Sequence, residues 1–204
     1  MNFKDSMQFR HACKAFDLNQ KISPEDEAAI LDFGRMSPSS FGIEPWHFLV
    51  LKEASLREKL HKACWDQVQI TSSSFVVVYL TYLPHHFRGD TDLLRQRLWR
   101  RSLEEARYQT ILQRVQTYLA EQNTLEWAKR QSYIALANMM TGAASLGIDS
   151  CPMEGFHSEK VKAVLCDVVD WHTFDVSMLC AFGHRVKEQN PHIREPIESV
   201  MTCV

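Results

Sequence analysis

LEWAKRQSYIALANMMTGAASLG, residues 125–147, reads as one long helix that stops at a glycine. Ala128, Ile134, Ala135, Ala137, Met139, Met140, Ala143 and Ala144 supply small or flexible apolar contacts around much of its circumference, which predicts burial on several sides. Such a helix lies in the middle of a core or in a subunit interface. A chain of 204 residues has limited room for the first, so association with a second copy is predicted. Outward from the helix, Ile148 to Met153 reads as a short strand and His157 to Leu165 as a helix. Phe174 to Phe182 reads as a clear strand before a polar, proline-containing tail from Arg185 to Val204. Upstream, Trp46 to Leu51 and Phe75 to Tyr82 are apolar enough for buried strands, with a helix at Ser55 to Ala63 between them. Ser23-Pro24-Glu25-Asp26 combines a capping hydroxyl, a first-turn proline and acids at the positive end of the dipole, predicting a helix that runs to about Met36. From Thr91 to Ala120, Leu94, Leu98, Leu103, Ile111, Leu112, Val115 and Leu119 recur at helical spacing in a long, charged, amphipathic excursion. Helices and strands intermix within one domain, with no repeat and no linker.

Charge and composition narrow the function. Lys plus Arg number 23 against 25 Asp plus Glu, a net charge of -2, so no global basic field exists to hold nucleic acid or an anionic membrane, and an anion must be bound by a local cluster. The longest purely apolar run, Phe75 to Leu80, is far short of the roughly 20 residues of a bilayer-spanning helix. The first residues, MNFKDSMQFRHACKAFD, lack an apolar secretory core, which predicts a soluble cytoplasmic protein. Six cysteines without a CxxC pair read as reduced, small buried hydrophobes. The sequence lacks GxGxxG after a strand, GxxxxGK[ST], HExxH and GxSxG, and His85-His86 has no acidic or thiol partner in sequence, so no metal is expected.

Three local features rise above this background. Arg10-His11-Ala12-Cys13-Lys14 near one terminus and Pro191-His192-Ile193-Arg194 near the other would bind a phosphate if the fold brought them together; apart, they are solvated surface charge. Ser37-Pro38-Ser39-Ser40-Phe41-Gly42-Ile43-Glu44-Pro45-Trp46 is a hydroxyl-rich loop leading into a strand. It offers polar groups and apolar walls to a ligand, or serves only as a connector. Gly147 to Phe156 ends a strand with Pro152 and Gly155, and Gly155 would let a flat ligand approach the backbone, unless the segment is simply a turn.

Taken in order, RHACKAFD (10–17), MSPSSFGIEPWHFLVL (36–51), WDQVQ (65–69) before FVVVYL (75–80), LGIDSCPMEGF (146–156) and PHIR (191–194) resemble the FMN-dependent nitroreductase family over nearly the whole chain. The likeness is to its oxygen-insensitive NAD(P)H nitroreductases. It implies an α+β fold, a mixed and mainly antiparallel sheet surrounded by helices, in a single domain spanning 1–204 with a flavin-covering excursion at about 84–122. It also implies an interlocked homodimer with FMN at the interface. Carried over by motif, Arg10, His11 and Lys14 would hold the FMN phosphate, ribityl chain and pyrimidine edge, and Arg194 with His192 would complete the phosphate clamp. Pro38, Ser39, Ser40 and Gly42 would approach from the partner subunit. Asp66 and Gln69 would sit at the uracil edge. Pro152, Met153, Glu154 and Gly155 would lie against the ring system with a backbone N–H near N5, and Phe41 would face substrate. Trp99 and Tyr108 are candidate substrate contacts in the excursion. The implied activity is ping-pong hydride transfer from NADH or NADPH through FMN N5 to a nitroaromatic or quinone acceptor, with no strictly catalytic side chain. The same fold also carries reductive dehalogenation, and a non-catalytic FMN sensor is a further alternative. Ala12, Gly42, Glu44 and His192 depart from the family's frequent Ser, Asn, Gln and Lys, removing side-chain hydrogen bonds and one permanent charge.

Overall fold

The computed structural model describes residues 1–204. Four strands form one sheet in the order β1-β2-β4-β3: β1 Trp46–Leu51, β2 Phe75–Tyr82, β3 Asp149–Met153 and β4 Phe174–Gly183. All three pairings are antiparallel, and a parallel bridge between Ala12 and Ser150 adds the N-terminal segment to the β3 edge. β2 is apolar on both faces because both are covered. Val76, Val78 and Leu80 join a core cluster with Leu60, Ile70, Val161 and Leu179, whereas Phe75, Val77 and Tyr79 face a second one with Ile30, Met139, Ala143 and Met178.

α1 (Phe3–Phe9) is capped by Asn2, and α2 (Pro24–Arg35) by Ser23, whose hydroxyl accepts from the Asp26 amide at 3.0 Å as its sequence predicts. α3 (Ala54–Ala63), the short α4 (Gln69–Ser72) and α8 (Ser158–Val164) lie toward the first cluster. α7 (Thr124–Ser145) is the long helix of residues 125–147. It buries Trp127, Ala128, Ala135, Leu136, Met139, Ala143 and Ala144, but leaves Tyr133, Ile134, Ala137 and Asn138 exposed along one stripe. The helical excursion predicted over 91–120 consists of two helices: α5 (Asp92–Ser102) and α6 (Glu105–Ala120). Leu103 separates them in the left-handed region at φ 54°, which reverses the chain so that Leu94, Leu98, Leu112 and Val115 close a third core cluster against Trp127. The tail contains a final short turn, α9 (Ile197–Val200). All six cysteines are free, and no helix is long and apolar enough to cross a membrane.

One ion-pair cluster ties α7 and α8 to β4. Asp175 faces Lys129 and Lys162, both at 2.8 Å. Burial opposes its ionisation, but the two ammonium groups prevail and hold the carboxyl below its ordinary range. A depressed carboxylate stabilises the fold above its unfolded value of about 3.9 and loses that contribution as pH falls through the lower folded value. Lys129→Met therefore raises the midpoint of acid unfolding followed by circular dichroism, and costs about 1 kcal/mol at neutral pH. An unmoved midpoint would show that the pair contributes nothing.

Candidate functional site

The two ends of the chain do meet. Arg10 is the C-cap of α1, and past it the backbone pairs with β3: the Cys13 amide donates to Ser150 O at 3.0 Å. Asp149, at the start of β3 and 2% exposed, receives the Arg185 guanidinium at 2.6 Å, and Arg185 Nη2 donates onward to Phe9 O at 3.1 Å. This buried bridge fixes where Arg10 emerges. A cleft of about 390 Å³ results, lined by Arg10, His11, Asn190, His192, Ile193 and Arg194 among others. Burial, then the neighbouring Arg194 charge, lower the Arg10 value. Arg10, Lys14 and Arg194 make no ion pair, although eleven others exist in the protein, among them Arg185 with Asp149. Cations gathered without a carboxylate leave room for an anionic ligand.

Lys14 leads from this cleft to the end of β3. Its ammonium is 3.5 Å from Cys151 Sγ, a buried thiol whose value burial raises and Lys14 partly restores. Gln69, 3% exposed, donates to Gln67 Oε1 at 2.8 Å, and Gln67 Nε2 donates to Gly155 O at 2.6 Å. Gln67 thus joins Gln69 to the Pro152–Gly155 segment. Sequence reasoning passed it over, and its place within WDQVQ, two residues from Gln69, was the available signal. Asp66 follows in the left-handed turn at Trp65 and Asp66, with its exposed carboxylate 3.7 Å from His61 Nδ1. Nearby, Pro152, Met153, Leu136 and Met178 wall a cavity of about 420 Å³, and the Tyr133 hydroxyl at its rim donates to the Glu154 carboxylate. The amides of Glu154 and Gly155 donate to no group of the chain. A Cβ on Gly155 would stand 2.7 Å from the Trp65 ring and 3.3 Å from Gln67 Nε2.

Pro38, Ser39 and Gly42 lie elsewhere, in a polar cleft of about 330 Å³ that shares no lining residue with the other two. Phe41, Gly42 and Glu44 all adopt left-handed backbone, costly for Phe41 and Glu44. Ser39 Oγ accepts from the Glu44 amide at 2.8 Å and the Ser40 amide donates to Gln131 at 2.9 Å, which hold the loop. The departures at 42 and 44 find their partners here. Arg101 Nη1 would be 2.1 Å from a Cβ at Gly42, so the side chain missing there is replaced by a guanidinium that donates to Phe41 O at 2.7 Å. Glu44 pairs with Arg97 at 3.7 Å and with Arg100, joining the loop to α5. Phe41 leans edge-on against Tyr118 with centroids 5.4 Å apart. Tyr108 is not a surface contact: it is fully buried in the core of the excursion, its hydroxyl bonded to Asp90, and Trp99 packs edge-on against it.

The sequence model of the nitroreductase family matches residues 7–184 of this chain. YfkO of Bacillus subtilis, provisionally named an NAD(P)H nitroreductase, is 37% identical over 212 residues, covering 98% of this chain and 96% of its own length. A relative from Staphylococcus epidermidis with the same provisional description is 42% identical, with 98% and 96% covered. Among solved structures, ydfN of Bacillus subtilis, provisionally named a nitroreductase, superposes with a TM-score of 0.85 at 23% identity, over 99% of this chain and 98% of that one. A similarly named protein of Exiguobacterium sibiricum, solved in complex with FMN, gives 0.82 at 21% identity, over 100% and 98%. Those two establish the fold alone, a sheet of antiparallel strands among helices. The family match and the full-length relatives carry the assignment further: the chain belongs to the nitroreductase family.

Proposed function

We propose that this protein is an NAD(P)H-dependent FMN oxidoreductase that works as a homodimer and reduces nitroaromatics and quinones. The observation that carries the reading is the set of uncompensated cations Arg10, Lys14 and Arg194, of which Lys14 reaches Cys151 on β3, the strand whose far end carries two unused backbone amides and an apolar cavity. A phosphate, a polar ring edge and a flat apolar ring need those three environments in that succession. The FMN bound to the Exiguobacterium relative supports the choice of ligand.

FMN held there would supply the hydride chemistry that links NAD(P)H to the second substrate. The chain's own residues do the rest. Arg10 and Arg194 grip the phosphate; His11 and His192 close the cleft beside them. Lys14, drawn toward Cys151, sets a positive charge at the pyrimidine edge, where Gln69 offers its amide group. Pro152 and Met153 form a wall for the ring, and the free Glu154 and Gly155 amides are donors for its edge. Pro38, Ser39, Ser40 and Gly42 belong to a separate cleft, so they join this site only if a second copy supplies them. The exposed stripe of α7 and the exposed Phe3, Met7 and Met36 provide an apolar surface for that copy. Phe41 on the same loop is then a wall for the substrate.

An absorption spectrum of the purified protein, before and after anaerobic NADPH or NADH, tests the reading. Oxidised-flavin bands that bleach support it, as does a dimer in sedimentation. A colourless protein that takes up no added FMN overturns it.

A further inference from the structure

His11 and His192, from opposite ends of the chain, stack with ring centroids 3.9 Å apart and planes within 7°. Both nitrogens of His11 face carbonyl oxygens: Nδ1 is 2.8 Å from Phe9 O, and Nε2 is 2.9 Å from Asn190 O. Carbonyl oxygens only accept, and a neutral imidazole carries a single N–H, so neutral His11 sets one lone pair against a carbonyl. Only the imidazolium donates to both. His192 differs, since its Nε2 meets Gln8 O at 2.9 Å and its Nδ1 has no partner, which the neutral ring satisfies. Burial, with His11, Arg194 and Arg10 nearby, outweighs the Gln8 bond and lowers the His192 value.

The charged groups around the pair explain why His11 needs a ligand. Arg10 and Arg194 are both cations, Arg185 shares the Phe9 carbonyl but is neutralised by Asp149, and no carboxylate makes an ion pair with either ring. An anion entering that cleft supplies the counter-charge that its cations lack. Once charged, His11 lies flat on a neutral aromatic face, a favourable arrangement.

We propose that phosphate binding in this cleft is coupled to protonation of His11: the anion enters, and His11 takes one proton from solvent and then donates to both carbonyls of the Phe9–Asn190 clamp, while His192 stays neutral beneath it. The ligand class is a phosphate monoester, and its identity as FMN rests on the function proposed above.

Calorimetric titration of the full chain with FMN at about pH 7.5, in buffers of different ionisation heat, tests this coupling. Uptake approaching one proton is expected for FMN and none for riboflavin, with FMN affinity falling by up to about tenfold per pH unit across the linked range. His11→Gln, a neutral side chain that still donates, is expected to bind FMN without proton uptake. Nitrogen-detected NMR of the histidine rings should show both His11 nitrogens protonated when the protein is saturated with FMN or with inorganic phosphate. FMN binding without proton uptake overturns the coupling and leaves the flavin reading standing. Binding of neither FMN nor riboflavin overturns the flavin reading instead, and equal binding of the two leaves the phosphate without a role in the cleft and overturns the coupling; a His11 that inorganic phosphate leaves neutral overturns the coupling as well.

Discussion

Arg10→Ala combined with Arg194→Ala is expected to weaken FMN binding by about two-thousandfold while changing riboflavin binding by no more than about twofold. Hydrogen bonds to a charged group are worth about 1.5–3 kcal/mol each. Arg10 earns the higher end, because it is half-buried with no carboxylate of its own; Arg194 is exposed and falls at the lower end. Quenching of flavin fluorescence measures both affinities. Arg194→Lys separates charge from shape: it keeps the cation and loses the two-pronged grip, so most of the Arg194 share should still disappear. A double variant that loses riboflavin as strongly as FMN would mean that these arginines support the fold and not a phosphate.

Asp149→Ala carries the other large effect. The carboxylate is almost completely enclosed, and it accepts from the Arg185 amide at 3.1 Å, from Nε at 2.9 Å and from Nη2 at 2.6 Å. Its removal leaves a half-buried guanidinium against the Phe9 ring, 4.0 Å from the centroid, with no counter-charge. Breaking such a pair from one side costs about 3 kcal/mol, which for a chain of this size lowers the melting temperature by roughly 6–12 °C. FMN should also bind more weakly, because the same arginine holds the Phe9 carbonyl next to Arg10. Thermal denaturation with and without FMN measures both; a variant that melts within about 2 °C of the parent would show the bridge to be dispensable.

Much of this architecture was legible in the sequence. β2 announced itself because six consecutive residues from Phe75 to Leu80 are apolar, and burial on both faces leaves no polar face to confuse the period. Ser23 and Asp26 gave away the start of α2 through a capping bond that lies within four residues of sequence. The break at Leu103 left no such trace, since leucine is a good helix former and its left-handed conformation follows from tertiary packing of α5 on α6. The basic segments 10–14 and 191–194 were visible as candidates, but their union depends on β3 and Arg185, beyond any local window. Gly42 and Glu44 looked like losses when only their own side chains were considered. Their compensating partners, Arg101, Arg97 and Arg100, lie more than fifty residues away on α5, where pattern reading saw only charge. The shared site between Arg10 and Pro38 rests on family likeness, because the two clefts are separate in one chain.

The clasp between His11 and Asn190 also makes the cleft a matter of long-range closure. Its two halves stand 179 residues apart in sequence and meet only beside β3 and the Arg185–Asp149 bridge. A state in which residues 189–194 have peeled away from α1 keeps its sheet intact and loses the whole cleft at once. An anion held there fastens that segment down, so protection of the 189–194 backbone amides from hydrogen exchange should rise with ligand occupancy.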